Sequence, residues 1–237
     1  MLKNKKNYRR AFSIVLPVLN EEKNINELIF LLKKYLKNFQ YEIIFIDDNS
    51  TDNTKKKIYN FISKKIKYYL RKKNRDLTLS CFLGIEKSKY ENIIIMDSDL
   101  QHHPRYLPKM VNLYLKKKLD FVVAVRNFNE DIGLGLTRIF ASKFLSFIFN
   151  YFLGYRVSDP MSGFFIFRKS IYYKSRNSLF GKGWKILADL IYDKKKYFIE
   201  ELQIKFLRRF KNNSKMNIKV LINIIKLFLF KFIKLKI

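Results

Sequence analysis

Three observations predict an α/β fold with a mainly parallel sheet flanked by helices. Apolar runs of strand length alternate with helix-period segments through the first half of the chain. Two of those runs end in paired carboxylates, and turn or cap formers separate most runs from the helix that follows. Taken in order, residues 12–16 read as the first strand. Asn20 is placed to cap a helix over 21–36 with acids in its first turn. The isoleucine-rich run 41–46 is the second strand and ends in Asp47-Asp48. Asp48-Asn49-Ser50-Thr51-Asp52 is a turn, and a helix to about residue 63 follows. A weaker strand spans 67–70. A helix is expected over 77–87, a strand over 92–96, a helix over 104–116 and a strand over 120–125. In the second half, 136–153 carries aromatic and aliphatic residues at helical spacing, with Arg138 and Ser142 four apart on one face. Asp159-Pro160-Met161-Ser162-Gly163 is a turn before a strand over 164–167. Residues 182–192 read as a helix and 197–207 as one or two strands.

A chain of 237 residues suits one large domain, here 1–215, with an appendage over 216–237. Cys81 is the single cysteine, which excludes an internal disulfide. The formal charge of +29 invites nucleic acid, an anionic membrane surface or polyphosphate substrates. Part of the excess follows from a composition rich in Lys, Asn, Ile, Phe and Tyr, the residues that AT-rich coding favours. Basic residues are scattered along the whole chain and no compact nucleic-acid-reading motif is present, so no nucleic acid partner is expected. The apolar run 11–16 is interrupted at Pro17 and is too short for a signal core. With no uninterrupted apolar span of ~20 residues, the expected location is cytoplasmic, peripheral to the membrane face.

Residues 216–237 are apolar but lysine-bearing. At 100° per residue, Lys215, Lys219, Asn223, Lys226 and Lys234 form one stripe. Spanning a bilayer would put Lys226 and Lys231 near its centre at about 2.5–3.5 kcal/mol each. Lying in the headgroup plane avoids that cost. The alternative is packing on its own domain or on a partner subunit.

The chemistry concentrates in Met96-Asp97-Ser98-Asp99-Leu100-Gln101, directly after Ile93-Ile94-Ile95. Two carboxylates two residues apart at a strand end face one way and repel each other. A hard divalent cation with positions left open for phosphate oxygens relieves that repulsion. A solvated acidic turn is the other reading. Ligands of such sheets bind beyond the carboxyl ends of the strands, where Asp47-Asp48 also lies. His102 and His103 follow, but hard oxygen donors already supply a metal site.

Several segments, in order and spacing, resemble the family-two glycosyltransferases, and specifically the dolichyl/polyprenyl-phosphate mannosyltransferase branch. They are Pro17-Val18-Leu19-Asn20-Glu21, Ile46 through Thr54, Met96 through His102, Val125-Arg126, Arg138 with Ser142, Ser158 through Phe164, and Phe206-x-x-Arg209-x-x-Asn212-x-Ser214-Lys215. The resemblance covers residues 12–216. It implies a GT-A (Rossmann-like) fold and an inverting transfer of sugar, mannose from GDP-mannose first, to a polyprenyl or dolichyl phosphate. By matching position, Pro17, Leu19, Glu21, Ile46 and Asp48 would hold the nucleoside. Asp97, Ser98, Asp99 and Gln101 would surround the diphosphate, with Asp97, Asp99 and Gln101 holding Mg2+ or Mn2+. Arg126, Arg209 and Lys215 would meet phosphates beside the catalytic Asp99, and Arg126, Arg138 and Ser142 would face the acceptor phosphate. The chain departs from the family pattern at Leu19 (usually Tyr), Asp76 and Asn212 (usually Gly) and Asp189 (usually Glu), which bears on nucleotide identity more than on reaction type.

An acceptor phosphate monoester, with a second pKa near ~6, is already ionised and needs no general base. A sugar hydroxyl would need one, and Asp159 is the first candidate. The rival readings are a UDP-sugar such as UDP-glucose with the same lipid, transfer to a cell-envelope glycan hydroxyl, and a basic membrane-binding module without turnover. Retention of both Asp97 and Asp99 argues against the last. A separate flippase or membrane-protein partner would carry the product across a bilayer.

Overall fold

β-Branched and aromatic residues fill the strand segments, and in the computed structural model of the chain they pair into one seven-stranded sheet. The structure describes residues 11–72, 74–126, 136–207 and 218–236, with the backbone alone over 136–141 and 218–220. Strands β1 (Ala11–Val18), β2 (Gln40–Asp47), β3 (Ile66–Leu70), β4 (Asn92–Ile95), β5 (Phe121–Arg126), β6 (Phe165–Arg168) and β7 (Ile199–Ile204) lie in the order β3-β2-β1-β4-β6-β5-β7. Pairing is parallel except where β6 runs antiparallel between β4 and β5. The mainly parallel α/β class is therefore as expected.

Every residue of β1 is buried, as a central parallel strand requires. Its side chains alternate between two apolar layers. Phe12, Ile14 and Leu16 face helices α1 (Ile25–Tyr35) and α4 (Leu107–Lys117). Val15 faces α3 (Leu77–Lys87), together with Ile44 and Ile46. Gly84 of α3 lies so close to β1 that a Cβ there would come within 2.2 Å of Val15, so the helix backbone rests on the sheet.

The elements depart from expectation where long-range contacts outcompete local signals. Asn20 does not cap α1. It sits at φ 54° and its Oδ1 accepts from the Thr51 N–H at 2.8 Å, tying the two loops that follow β1 and β2. α1 accordingly starts four residues later than expected. Helix α2 (Thr54–Tyr59) stops short of residue 63 because Ser63 bridges to Ile66. The expected helix over 182–192 contracts to α7 (Ile186–Ile191), and a helix α6 (Lys169–Ser175) had no clear sequence signal. The helices α3 and α5 (Leu136–Leu153) have the bounds their patterns indicate.

The C-terminal helix α8 (Ile218–Lys236) packs on its own domain. Ile224 and Leu227 are buried in the same apolar layer as Val123 and Phe149, and Phe228 meets Phe149 edge-on at 5.4 Å. Lys231, expected on a lipid-facing helix, points inward and is 1% exposed. The outward residues Leu221, Ile222, Ile225, Leu229 and Ile233 are 45–57% exposed. Among the described residues, no helix is long and apolar enough to cross a membrane.

Candidate active site

Three parallel strands, β1, β2 and β4, deliver their carboxyl ends to one pocket. It is lined by Pro17, Leu19, Glu21, Asp48, Arg75, Asp76, Asp97, Ser98, Asp99, Met161, Gly163, Trp184 and Lys185, among others. The Ser98 hydroxyl donates to the Pro17 carbonyl at 2.9 Å, which joins the acidic turn to the end of β1. Glu21 is held by the Asn24 amide at 2.7 Å, and its own N–H donates to Thr54 at 2.7 Å.

The paired acids at the end of β2 part ways. Asp47 turns from the pocket and accepts from Tyr68 Oη and the Ser50 N–H. Asp48 accepts from the Arg71 guanidinium and from the Asp76 N–H at 2.6 Å. Burial pushes the Asp48 carboxyl above the usual carboxylate range, with Arg71 and the Asp76 N–H opposing. Asp76 caps α3 through the Leu79 N–H at 3.0 Å and also accepts from the Gly183 N–H at 2.7 Å.

Asp97 and Asp99 both line the pocket in unlike settings. The Asp97 side chain is 36% exposed, and its Oδ2 is 3.3 Å from His102 Nδ1. A Cβ at position 163 would stand 2.5 Å from Asp97 Oδ2, so the backbone approaches the carboxylate as only glycine allows. Asp99 is 5% exposed and its Oδ1 accepts from the Gln101 N–H at 3.1 Å, across Leu100 at φ 64°. Among the described residues, no group of three or more His, Cys, Asp or Glu forms a complete cage. Two carboxylate side chains beside an open pocket are instead the donor set with which Mg2+ is held jointly by protein and substrate phosphates, so these residues fit a divalent ion.

Two expected contacts are not in the pocket wall. Ile46 is fully buried beneath it, in the layer with Cys81 and Ile85. Gln101 directs its amide to the Leu207 carbonyl at 3.1 Å, so its polar end ties down the chain after β7. Arg209 and Lys215 lie outside the described residues, as does the side chain of Arg138.

Beside the pocket, Arg126 forms a fork on Asp159, with Nε to Oδ2 at 2.6 Å and Nη2 to Oδ1 at 2.9 Å. Its Nη2 also donates to Ser142 Oγ at 2.6 Å, and the guanidinium lies 5.7 Å from the Phe206 ring. Burial alone would raise the Asp159 carboxyl, but Arg126 outweighs it and holds the group below the usual carboxylate range. Lys185 donates to the Met161 carbonyl at 3.1 Å. Burial first, then Arg126, lowers its ammonium pKa, while Asp159 and Asp97 oppose. Lys185 and Arg75 carried no sequence signal. Trp184 packs against the apolar layer of α3 and α8 and also lines the pocket.

The glycosyl transferase family 2 model matches residues 13–176. A dolichol-phosphate mannosyltransferase of Pyrococcus furiosus is 27% identical over 225 residues, covering 88% of this chain and 60% of that protein, so the chain spans well under two thirds of that relative's length. One from Mycosarcoma maydis is 26% identical over 237 residues, covering 93% of this chain and 80% of the relative. Among solved structures, glucosyl-3-phosphoglycerate synthase from Mycobacterium tuberculosis in complex with Mn2+, uridine-diphosphate and phosphoglyceric acid superposes at TM-score 0.72 with 19% identity, over 94% of this chain and 78% of that one. That likeness concerns the GT-A fold. With the family match running from β1 through α6, the chain belongs to glycosyl transferase family 2.

Proposed function

We propose that this chain is an inverting transferase that moves a hexose, mannose from GDP-mannose first, to the phosphate of a polyprenyl or dolichyl lipid. The state of Asp159 carries the choice of acceptor. A hydroxyl acceptor needs a base, yet Asp159 is fully buried, both its oxygens are held by Arg126, and its carboxyl is held below the usual range. A dianionic phosphate needs no base and instead needs cations. Arg126 with Ser142 supplies one, and Arg138, Arg209 and Lys215 would add others by their place in the family pattern. The dolichol-phosphate mannosyltransferase relatives support the same acceptor class.

Leu19, Glu21, Asp48 and Arg75 would receive the nucleoside. Asp97 and Asp99 would hold Mg2+ or Mn2+ against the diphosphate, where such an ion neutralises charge on the departing β-phosphate. Ser98 and Pro17 would fix the acidic turn. Gln101 would act on Asp99 through its N–H rather than as a ligand, and Ile46 would support the site from below. A donor panel of GDP-mannose and UDP-glucose, with polyprenyl phosphate or a glycan acceptor, tests this reading in Mg2+, Mn2+ or EDTA. Product is expected only with lipid phosphate and only with metal. Product in EDTA would remove the metal role, and product with glycan alone would overturn the acceptor.

An anionic membrane surface is the partner proposed for α5 and α8. Phe144, Phe147 and Tyr151 of α5 are exposed, as are Leu229 and Ile233 of α8, with Lys143 and Lys236 also exposed on these helices. Apolar side chains with flanking lysines suit the headgroup boundary. Replacing both Leu229 and Ile233 by Glu is expected to abolish flotation with anionic vesicles while the circular dichroism spectrum is retained. Unchanged flotation would remove the idea. Movement of the product across the bilayer would still need a separate flippase or membrane protein.

A further inference from the structure

Trp184 and Lys185, at the end of the segment 181–185, form one wall of the pocket. That segment is irregular backbone, with Gly181 at φ 75° and Gly183 at φ 101°. Such a segment holds a side chain in place only if its polar groups are tied elsewhere. On the pocket side, the Gly183 N–H donates to Asp76 at 2.7 Å and its carbonyl accepts from the Thr78 N–H at 3.0 Å. On the far side, the Asp189 carboxylate accepts from the Phe180 N–H and the Gly181 N–H, each at 2.9 Å.

That carboxylate is in turn held by the C-terminal helix. Lys231 Nζ lies 2.9 Å from Asp189 Oδ1 and donates to the Asp189 carbonyl at 2.6 Å and the Ser178 carbonyl at 3.2 Å. Both side chains are 2% exposed. Eight residues earlier on the same helix face, Asn223 abuts the loop, its Cβ being 3.4 Å from where a Gly183 Cβ would stand. A buried lysine on so apolar a helix loses its hydration, and an aliphatic residue would pack there without that cost. The pair instead ties α8 to Asp189 and, through it, to the Phe180 and Gly181 N–H groups of the loop.

We propose that Lys231 and Asp189 are positioning residues for the donor pocket, the pair through which α8 fixes Trp184 and Lys185 against the substrate. The proposal rests on the reading of the pocket as a nucleotide-sugar site. It also joins the helix proposed for the membrane surface to the wall proposed for the donor.

Trp184 is the only tryptophan in the chain, so its emission reports this wall directly. In the full-length protein, Lys231→Met is expected to shift Trp184 emission to the red and to increase its quenching by acrylamide, with the far-UV spectrum retained. KM for the nucleotide sugar should rise about fivefold with kcat within about twofold, the signature of lost binding rather than lost chemistry. Lys231→Arg should restore much of both signals. Lys226→Met, which removes an exposed lysine from the same helix, should leave the emission unchanged. Should Lys231→Met fail to fold, Asp189→Asn weakens the same ion pair and should give the same red shift. Emission and quenching that stay at wild-type values in the folded variant would overturn the proposal, as would an equal shift in Lys226→Met. The resting emission reports the Lys231–Asp189 pair and its response to added GDP or UDP reports the pocket, so the two readings fail on separate signals.

Discussion

Asp99→Asn is expected to lower turnover by about a thousandfold while the protein stays folded, because in the proposed reaction this carboxylate would hold the cation that neutralises charge on the departing diphosphate. Asp99 is nearly buried at the pocket, so its charge is screened by little water. The amide keeps the shape and an oxygen that can still accept from the Gln101 N–H, which holds the turn around Leu100. What it loses is the negative charge that, beside Asp97, would retain a divalent ion against the diphosphate. The loss should therefore appear in kcat at saturating Mn2+, with thermal unfolding close to wild type. A variant retaining more than a tenth of wild-type turnover would remove Asp99 from the chemistry.

That site was legible because its groups lie on strand ends, and strand ends are what periodicity reads best. The run Ile93-Ile94-Ile95 followed by two acids needed no tertiary knowledge, and neither did α3, whose Asp76 cap is local. Asn20 misled because its best partner, Thr51, is 31 residues away. A polar side chain before a helical pattern looks the same whether it caps that helix or bonds another loop. Ile46 occupies a position that the family pattern associates with the nucleoside, but pattern position does not state which way a side chain points, and here it joins the core. Lys185 is one of 49 basic residues and has no local distinction. Only the fold places it between Asp97 and Asp159. Lys231 reads as a charge facing lipid because its partner, Asp189, is 42 residues earlier in the chain. In each case the missing information was a contact across sequence distance, which no window of the chain contains.

Arg126→Met is expected to destabilise the protein by about 3–5 kcal/mol, since it leaves a fully buried carboxylate without its counterion. The slope of stability against pH should reverse sign in the variant. In the wild type the Asp159 pKa is depressed below its unfolded value of about 3.9. The pair's contribution is thus fully present above that value and is lost as pH falls through the lower, folded pKa. Without Arg126, burial is the dominant influence left on Asp159 and raises its pKa, so the variant should gain stability as pH falls from 7 towards 4. Urea midpoints across that range measure both slopes. The double variant Arg126→Met with Asp159→Leu removes both charges and should recover most of the lost stability, a non-additivity expected of partners in direct contact. It should not recover activity with lipid phosphate, because the cation beside Ser142 is still missing. A double variant that is both stable and active would show that the ion pair only holds β5 to the turn after α5. A double variant that is stable and inactive separates folding from catalysis at this ion pair, as the proposed role of the guanidinium requires.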